Sequence, residues 1–261
     1  MAVAEQLSTR DILDSLIDDA LHEINRETSG LLLSGFSAGL DIGFGPLLMA
    51  VILTLSPGTF GDLTTELLLA SVYSVGFLFV ILGRSELFTE HTTLAVVPVL
   101  DRQASVGQLS RLWGLVYVGN IVGGLVFTLL AVVLMPGLGV VSPAAFETIA
   151  LKLVTHDLTW LFVAGVVAGW LMGLLAWLIT AAQATISRVF LIWIVTGTIG
   201  ILHLPHSIAG NVEVLFGLFI SPSISLFDYV AFLTLATIGN ACGGAIFVAV
   251  LKYGHVVRGA R

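Results

Sequence analysis

Two short polar stretches interrupt an otherwise apolar sequence, and they carry the side chains best suited to chemistry. Their ionisable and amide residues include Glu86, His91, His203, His206 and Asn211. A histidine changes charge near physiological pH, so it can donate a hydrogen bond or a proton to a weak-acid anion. The anion would then cross an apolar barrier at lower cost as the neutral acid. These residue types indicate a site for a small anion, although His203 could equally cap a helix end.

The composition indicates a protein embedded in a membrane. Of the 261 residues, 57% are apolar and only 10% are charged, whereas about a quarter of the residues in soluble domains are charged. Six apolar runs approach or exceed the roughly 18 residues that a membrane-spanning helix needs. They are Leu31–Leu55, Leu67–Gly83, Leu112–Met135, Leu158–Ala182, Val189–Leu204 and Leu226–Leu251. The prediction is an all-α integral membrane protein with six crossings.

Basic residues set the predicted orientation, because lysine and arginine accumulate on the cytoplasmic side of membrane segments. With six crossings, one side of the membrane receives only Lys152. The other side receives Arg10, Arg26, Arg102, Arg111, Arg188, Lys252, Arg258 and Arg261. Both termini are therefore expected in the cytoplasm, and the protein in the inner or plasma membrane of the cell.

The second and fifth crossings are predicted to be broken helices. Charged residues separate Leu67–Gly83 from the apolar stretch Leu94–Leu100, which is too short to span a membrane alone. Pro205 interrupts the fifth run, since proline removes a backbone donor and disfavours helix in the preceding residue. Non-helical backbone at membrane depth is tolerated only inside protein or along an aqueous cavity. Two breaks therefore predict a cavity.

A polar segment precedes the first crossing and has the pattern of an amphipathic helix. Apolar residues between Ile12 and Ile24 recur at helical spacing, opposite an acidic face. Anionic lipid headgroups would repel that face, which favours packing on the cytoplasmic side of the protein or on a neighbouring subunit. The predicted organisation is a cytoplasmic amphipathic helix at 1–29, a channel domain at 30–253 and a short cytoplasmic tail at 254–261.

Two copies of one sequence unit are visible in the chain. The glycine pattern at 35–43 recurs at 165–173, and the Gly-Asn-x-x-Gly-Gly motif at 119–124 recurs at 239–244. Small residues one turn apart let helices approach closely in lipid. Each copy contains three crossings, so the two halves must be inverted relative to each other, a plan that places solute sites at their interface.

The offset of 120 residues between the Gly-Asn motifs relates the two polar breaks. It sets Glu86 opposite His206 and His91 opposite Asn211. Helix ends at these breaks would direct partial positive charge toward the centre of the molecule, where a small anion could bind.

Four further polar side chains lie within apolar runs. Asn120 and Asn240 are expected to hydrogen-bond across helices, or alternatively to reach the pore. Asp41 and Glu213 are functional candidates, because an ionisable group is costly inside a membrane. Alternatively, each carboxylate pairs with a nearby histidine or arginine, or faces a subunit interface.

The breaks and the Gly-Asn motifs together resemble the formate/nitrite transporter family, pentameric channels that pass small monovalent anions through each protomer. The resemblance rests on Glu-Leu-Phe-Thr at 86–89, His-Ser-Ile-Ala at 206–209 and both Gly-Asn motifs, and it covers roughly 30–253. Pro205 precedes the histidine where the family usually has glutamate, and Gly210 stands where it has asparagine. These departures indicate a divergent branch of the family.

The resemblance implies a role for each matching residue. His206 would be the central histidine that gates the pore, and Thr89 would be its hydroxyl neighbour. Leu87 and Phe88 would form an apolar constriction. The resemblance also implies a homo-pentamer in the lipid bilayer, with formate, nitrite or a similar small anion as solute.

Other functions fit parts of the sequence. Residues 35–39 match the Gly-x-Ser-x-Gly pattern of serine hydrolases, but that motif needs a strand-to-helix turn and lies here in a membrane helix. A channel for a neutral solute such as water or ammonia is a second alternative, and a non-conducting scaffold or sensor is a third. The formal charge of -7 argues against a nucleic-acid partner. We expect no enzymatic activity, no metal and no cofactor.

Overall fold

The computed structural model describes residues 7–259, a range that contains helices and loops but no β-strand. The first helices are α1 (Thr9–Ile24), α2 (Thr28–Ile42), α3 (Phe44–Leu55), α4 (Asp62–Gly83), α5 (Phe88–Leu94), α6 (Val96–Leu100) and α7 (Val106–Gly137). The remaining helices are α8 (Pro143–Val154), α9 (Leu158–Ala181), α10 (Thr185–Ile201), α11 (Ser207–Ile220), α12 (Leu226–Cys242) and α13 (Leu251–Gly259). A π-helical segment, Gly243–Val250, joins the last two.

Much of the described chain forms long, apolar helices. Within residues 7–259, five helical stretches are long and apolar enough to cross a membrane, namely Thr28–Leu55, Asp62–Gly83, Val106–Gly137, Leu158–Ala181 and Leu226–Gly259. The helices α10 and α11 are also apolar, with 17 and 14 residues. The prediction of an all-helical, multi-pass membrane protein is confirmed.

The ends of the chain fall partly outside the described residues. Positions 1–6 of the segment predicted at 1–29, and positions 260–261 of the tail predicted at 254–261, are among those not described. Residues 254–259 belong to α13, so this part of the predicted tail continues the preceding helix.

Helix α1 packs on the membrane helices of its own chain. It begins with a capping box in which Ser8 and Asp11 each bond the backbone N–H of the other. Its apolar face is buried in one cluster with Val97, Trp177 and Val256. These three residues belong to α6, α9 and α13, so α1 covers one end of the helix bundle.

Two helix pairs approach closely at equivalent glycines. A Cβ atom added to Gly39 of α2 would lie 2.2 Å from the backbone oxygen of Asn120 in α7. A Cβ atom added to Gly169 of α9 would lie 2.1 Å from the backbone oxygen of Asn240 in α12. Only a residue without a side chain fits at either contact, as expected for close helix packing in lipid.

Helix α8 is an element that the sequence pattern does not predict. It starts at the N-cap Ser142, whose hydroxyl accepts from the backbone N–H of Ala145. Its Phe146 packs against Phe216 of α11, with ring centroids 4.4 Å apart. This contact joins the start of α8 to α11, and Lys152 lies in the last turn of α8.

Candidate pore and its polar groups

The two polar breaks have the same backbone geometry. Arg84 follows α4 with φ 57°, and His203 follows α10 with φ 49°. Two backbone hydrogen bonds close each helix end, and each has an equivalent at the other break. For example, Ser85 N–H donates to Val80 O at 3.1 Å, and Leu204 N–H donates to Ile199 O at 3.0 Å. This is the pattern of a helix end with a left-handed residue, which satisfies the last carbonyl groups of the helix.

The matched bonds correct the register between the halves. Arg84 and His203 are 119 residues apart, so the predicted offset of 120 is wrong by one residue at the breaks. Leu87, the N-cap of α5, is therefore equivalent to His206, the N-cap of α11. By the same count Thr92, and not His91, is the equivalent of Asn211.

Two buried asparagines hold the breaks by identical sets of hydrogen bonds. Asn120 Oδ1 accepts from Phe88 N–H at 2.8 Å, and Asn120 Nδ2 donates to the carbonyls of Gly35 and Glu86, both at 2.8 Å. In the other half, Asn240 Oδ1 accepts from Ser207 N–H at 2.8 Å. Asn240 Nδ2 donates to the carbonyls of Gly165 at 2.8 Å and of Pro205 at 2.9 Å. Each amide satisfies one N–H and one carbonyl group of the break, and its third bond ties the break to α2 or α9.

A histidine and a threonine meet between the two breaks. Thr89 Oγ1 and His206 Nε2 are 2.8 Å apart, and both side chains are buried. Ala209 N–H donates to His206 Nδ1 at 3.1 Å, so the neutral ring must carry its hydrogen on Nε2. The Nε2–H group therefore donates to Thr89 Oγ1. Within residues 7–259 no acceptor is in range of the Thr89 hydroxyl hydrogen in this arrangement.

Buried apolar side chains lie next to this pair in space or in sequence. The ring of Phe77 in α4 contacts the His206 imidazole edge to face, with centroids 4.9 Å apart. Leu87 is fully buried and Phe88 nearly so, and the Phe88 ring packs against Tyr117 of α7 at 5.0 Å. Phe77 is a residue that sequence reasoning missed, because a phenylalanine in an apolar helix carries no distinguishing signal.

Glu86 and His91 belong to an ion network beside the first break. Arg26 Nη1 lies 2.7 Å from Glu86 Oε1 and 2.6 Å from Glu23 Oε2, while His91 Nε2 hydrogen-bonds the second oxygen of Glu86. Burial raises the pKa of Glu23, and the hydrogen bond from Arg26 opposes this effect. The structure thus brings Glu86 and His91 to each other and to α1. Sequence reasoning missed Arg26 because it lies 60 positions before Glu86.

His203 belongs to a second ion cluster, beside the other break. His203 Nε2 lies 3.3 Å from Glu66 Oε2, and Lys152 Nζ lies 2.6 Å from Glu66 Oε1. Glu66 is the residue that joins them, and the sequence gives no indication of it beyond its position near the start of an apolar run.

The three remaining candidates occupy separate places. Asn211 is buried, and its Oδ1 accepts from the Tyr229 hydroxyl at 2.8 Å. Asp41 is half-buried on α2, where the Ser37 hydroxyl donates to it at 3.4 Å. Glu213 is 6% exposed and lies in α11.

A multi-pass helical membrane protein with buried polar groups at breaks in its helices has the architecture of a transporter or channel. The sequence profile described as "Formate/nitrite transporter" matches residues 10–254. The chain belongs to the formate/nitrite transporter family, which confirms the resemblance noted in the sequence. Members of this family are transporters and channels rather than enzymes.

Individual relatives agree with this assignment. The chain is 30% identical over 248 residues to the "Inner membrane protein YfdC" of Escherichia coli (strain K12), covering 94% of this chain and 78% of the relative. A solved "FNT family ion channel" superposes with a TM-score of 0.83 at 23% identity, covering 94% of this chain and 98% of that one. A "Pentameric formate channel with formate bound" superposes with a TM-score of 0.77 at 20% identity, covering 88% and 98%. The two structures show that the fold is shared.

Proposed function

We propose that the protein is a membrane channel or transporter for small monovalent anions or their weak acids, with formate and nitrite as the first candidates. The observation that carries the proposal is the buried hydrogen-bonded pair of His206 and Thr89 between the two helix breaks. Family membership supports the solute class, as does the structural neighbour that is a formate channel with formate bound.

His206 and Thr89 would act together as hydrogen-bond donors to the anion. A permeating carboxylate or nitrite can accept from the Nε2–H group in place of Thr89 Oγ1, and from the Thr89 hydroxyl. The backbone N–H of Ala209 occupies Nδ1, so protonating the ring would cost that hydrogen bond. This arrangement supports hydrogen-bond donation more than transfer of a proton. The buried ring of Phe77 and the side chains of Leu87 and Phe88 would form the apolar constriction.

The proposal includes the topology of the chain. Residues 30–253 would form a channel domain of six crossings in two inverted halves, with α4–α6 and α10–α11 as the broken second and fifth crossings. The matched hydrogen bonds of Asn120 and Asn240 support this duplication. Both termini would lie in the cytoplasm, in keeping with the distribution of basic residues. We also propose a homo-pentamer, like the pentameric formate channel that shares this fold.

The other candidate residues would border the passage or hold its walls. Glu86 and His91 would line one entrance and His203 the other, while Asn211 would lie along the wall of α11. Asp41, half-buried on the outer face of α2, would face a neighbouring protomer.

A flux assay in proteoliposomes tests the function. We expect uptake of at least one small anion from a panel of formate, nitrite, acetate, lactate, hydrosulfide and chloride. His206→Phe should reduce that uptake about ten- to a hundredfold, because a hydrogen bond to a charged group contributes about 1.5 to 3 kcal/mol.

The matched control is His255→Phe, which makes the same exchange at an exposed position of α13. It should leave uptake unchanged. Uptake of every anion equal to that of empty vesicles would refute the proposed function. Equal uptake by His206→Phe and the wild type would remove the imidazole from the mechanism.

A further inference from the structure

Glu213 is a buried carboxylate that the proposed passage does not yet use. It lies in the apolar helix α11 and is 6% exposed. Within residues 7–259 no group hydrogen-bonds to its carboxylate. The Lys152 ammonium interacts with it electrostatically, but that ammonium is already paired with Glu66 at 2.6 Å. A carboxylate in these surroundings is costly to keep ionised.

Glu213 lies on the same face of α11 as His206. The two residues are seven positions apart, which is about two helical turns and about 10 Å along the axis. Side chains of helix α4 lie alongside this stretch of α11. Phe77 contacts the His206 ring, Tyr73 packs on Phe77 with centroids 5.2 Å apart, and Tyr73 interacts electrostatically with Glu213.

The same two helix faces continue to an ion cluster. Glu66 lies seven positions before Tyr73, on the same side of α4, and pairs with Lys152 and His203. Side chains from α4 and α11 therefore follow one another from that cluster to the buried histidine. Glu213 occupies the interval between them.

We propose that Glu213 selects the solute by its own protonation, admitting small anions to His206 when its carboxyl group is neutral and repelling them when it is ionised. This role deepens the proposed anion passage and rests on it. In the ionised state the unpaired carboxylate presents a like charge to an incoming anion in surroundings of low dielectric. In the protonated state the carboxyl O–H can donate a hydrogen bond to the same anion. Flux should therefore rise as the pH falls.

Other titratable groups pack around this part of α11. They are Glu66 and Tyr73 on α4, Lys152 on α8, Tyr229 on α12, and His203 and His206 at the break before α11. Lys152 hydrogen-bonds Glu66, and His203 Nε2 lies 3.3 Å from the other oxygen of Glu66. Tyr229 bonds Asn211, and His206 bonds Thr89. In the described range no hydrogen bond is present to Glu213 or to the Tyr73 hydroxyl, and of these two groups only Glu213 is a carboxylic acid.

The test compares formate uptake at pH 5 and pH 7.5 in proteoliposomes. Glu213→Gln is a permanently neutral replacement of nearly the same shape. We expect it to raise uptake at pH 7.5 about tenfold, which corresponds to about 1.4 kcal/mol, and to leave uptake at pH 5 near that of the wild type. Glu213→Asp keeps the carboxyl group and should keep the pH dependence.

Glu147→Gln is the matched control, because Glu147 is a half-buried carboxylate on α8 that bonds Ser221. It should preserve the ratio of uptake between the two pH values, which also corrects for protonation of formate itself. If Glu213→Gln shows the same ratio of uptake between pH 5 and pH 7.5 as the wild type, the role of Glu213 is overturned while the proposed function stands. No wild-type uptake at either pH would overturn both. If Glu213→Gln does not assemble, loss of the ratio in an assembled Glu213→Asp protein would overturn the role.

Discussion

Replacing Asn120 by alanine should destabilise the protein far more than loss of one side chain at the surface. The Asn120 amide makes three hydrogen bonds of 2.8 Å to the backbone of α2 and of the first break. A hydrogen bond inside a membrane protein contributes about 0.6 kcal/mol on average and about 1.7 kcal/mol at most. Three such bonds predict a loss of about 2 to 5 kcal/mol in the free energy of unfolding. The backbone groups that remain would also be left without partners at a buried site.

Reversible unfolding in mixed micelles measures this loss. Asn240→Ala is expected to lose a similar amount, since Asn240 makes the equivalent three bonds. Asn25→Ala is the matched control, because Asn25 makes one exposed side-chain bond to Leu21 O at the end of α1, for which about 0.5 kcal/mol is expected. A loss in Asn120→Ala no larger than in Asn25→Ala would refute the reasoning that the amide holds the break.

Two further substitutions test other features of the structure by thermal unfolding in detergent. Gly123→Ala should destabilise the protein by about 1 to 3 kcal/mol, because the added Cβ would lie 2.1 Å from a carbonyl oxygen of α2. Gly114→Ala in the same helix meets nothing within 4 Å and should be neutral or stabilising by up to about 1 kcal/mol; equal effects of the two would contradict the close contact. Hydrogen bonds from Gln103 and Tyr253 lower the pKa of Asp101, so their stabilisation exists above the ordinary aspartate pKa and is lost as the pH falls through the lowered value. Tyr253→Phe should therefore cost about 0.5 kcal/mol at pH 7 and less as the pH falls through the lowered pKa of Asp101, and a cost independent of pH would exclude this bond as its cause.

The Gly-Asn motifs are the part of the site that the sequence predicts best. A buried amide in an apolar helix has few options, because its donors and acceptor must find partners inside the protein. The repetition of the motif therefore suffices to predict two cross-helix contacts of the same kind. Local rules of this sort also predict α1, whose polar and apolar faces alternate at helical spacing.

The register between the halves could not be predicted from one offset. Gly35 and Gly165 are 130 positions apart, Arg84 and His203 are 119 apart, and the two motif asparagines are 120 apart. The loops of the two halves differ in length, so the equivalence changes along the chain. A single count from the asparagines consequently places Glu86 opposite His206, one residue from its true equivalent.

The long-range ion pairs could not be predicted from the sequence for a different reason. Arg26 and Glu86 lie in segments between helices, and Lys152 and Glu66 lie in α8 and α4. The relative placement of these parts depends on the packing of the whole bundle. Charge alone gives each of them many possible partners. The unexpected helix α8 adds to the difficulty, since it brings Lys152 to α4 and α11.

The two breaks have the same backbone geometry but different side chains, and in the proposed channel this difference would create one solute site from a duplicated unit. The N-cap positions of α5 and α11 are equivalent, yet one carries Leu87 and the other His206. A hydroxyl supplied by Thr89 accepts from Nε2–H and keeps its own hydrogen for a solute. One half thus provides the imidazole and the other the hydroxyl, and in the proposed passage an anion would accept from both groups once it replaces Thr89 Oγ1 as the acceptor of Nε2–H.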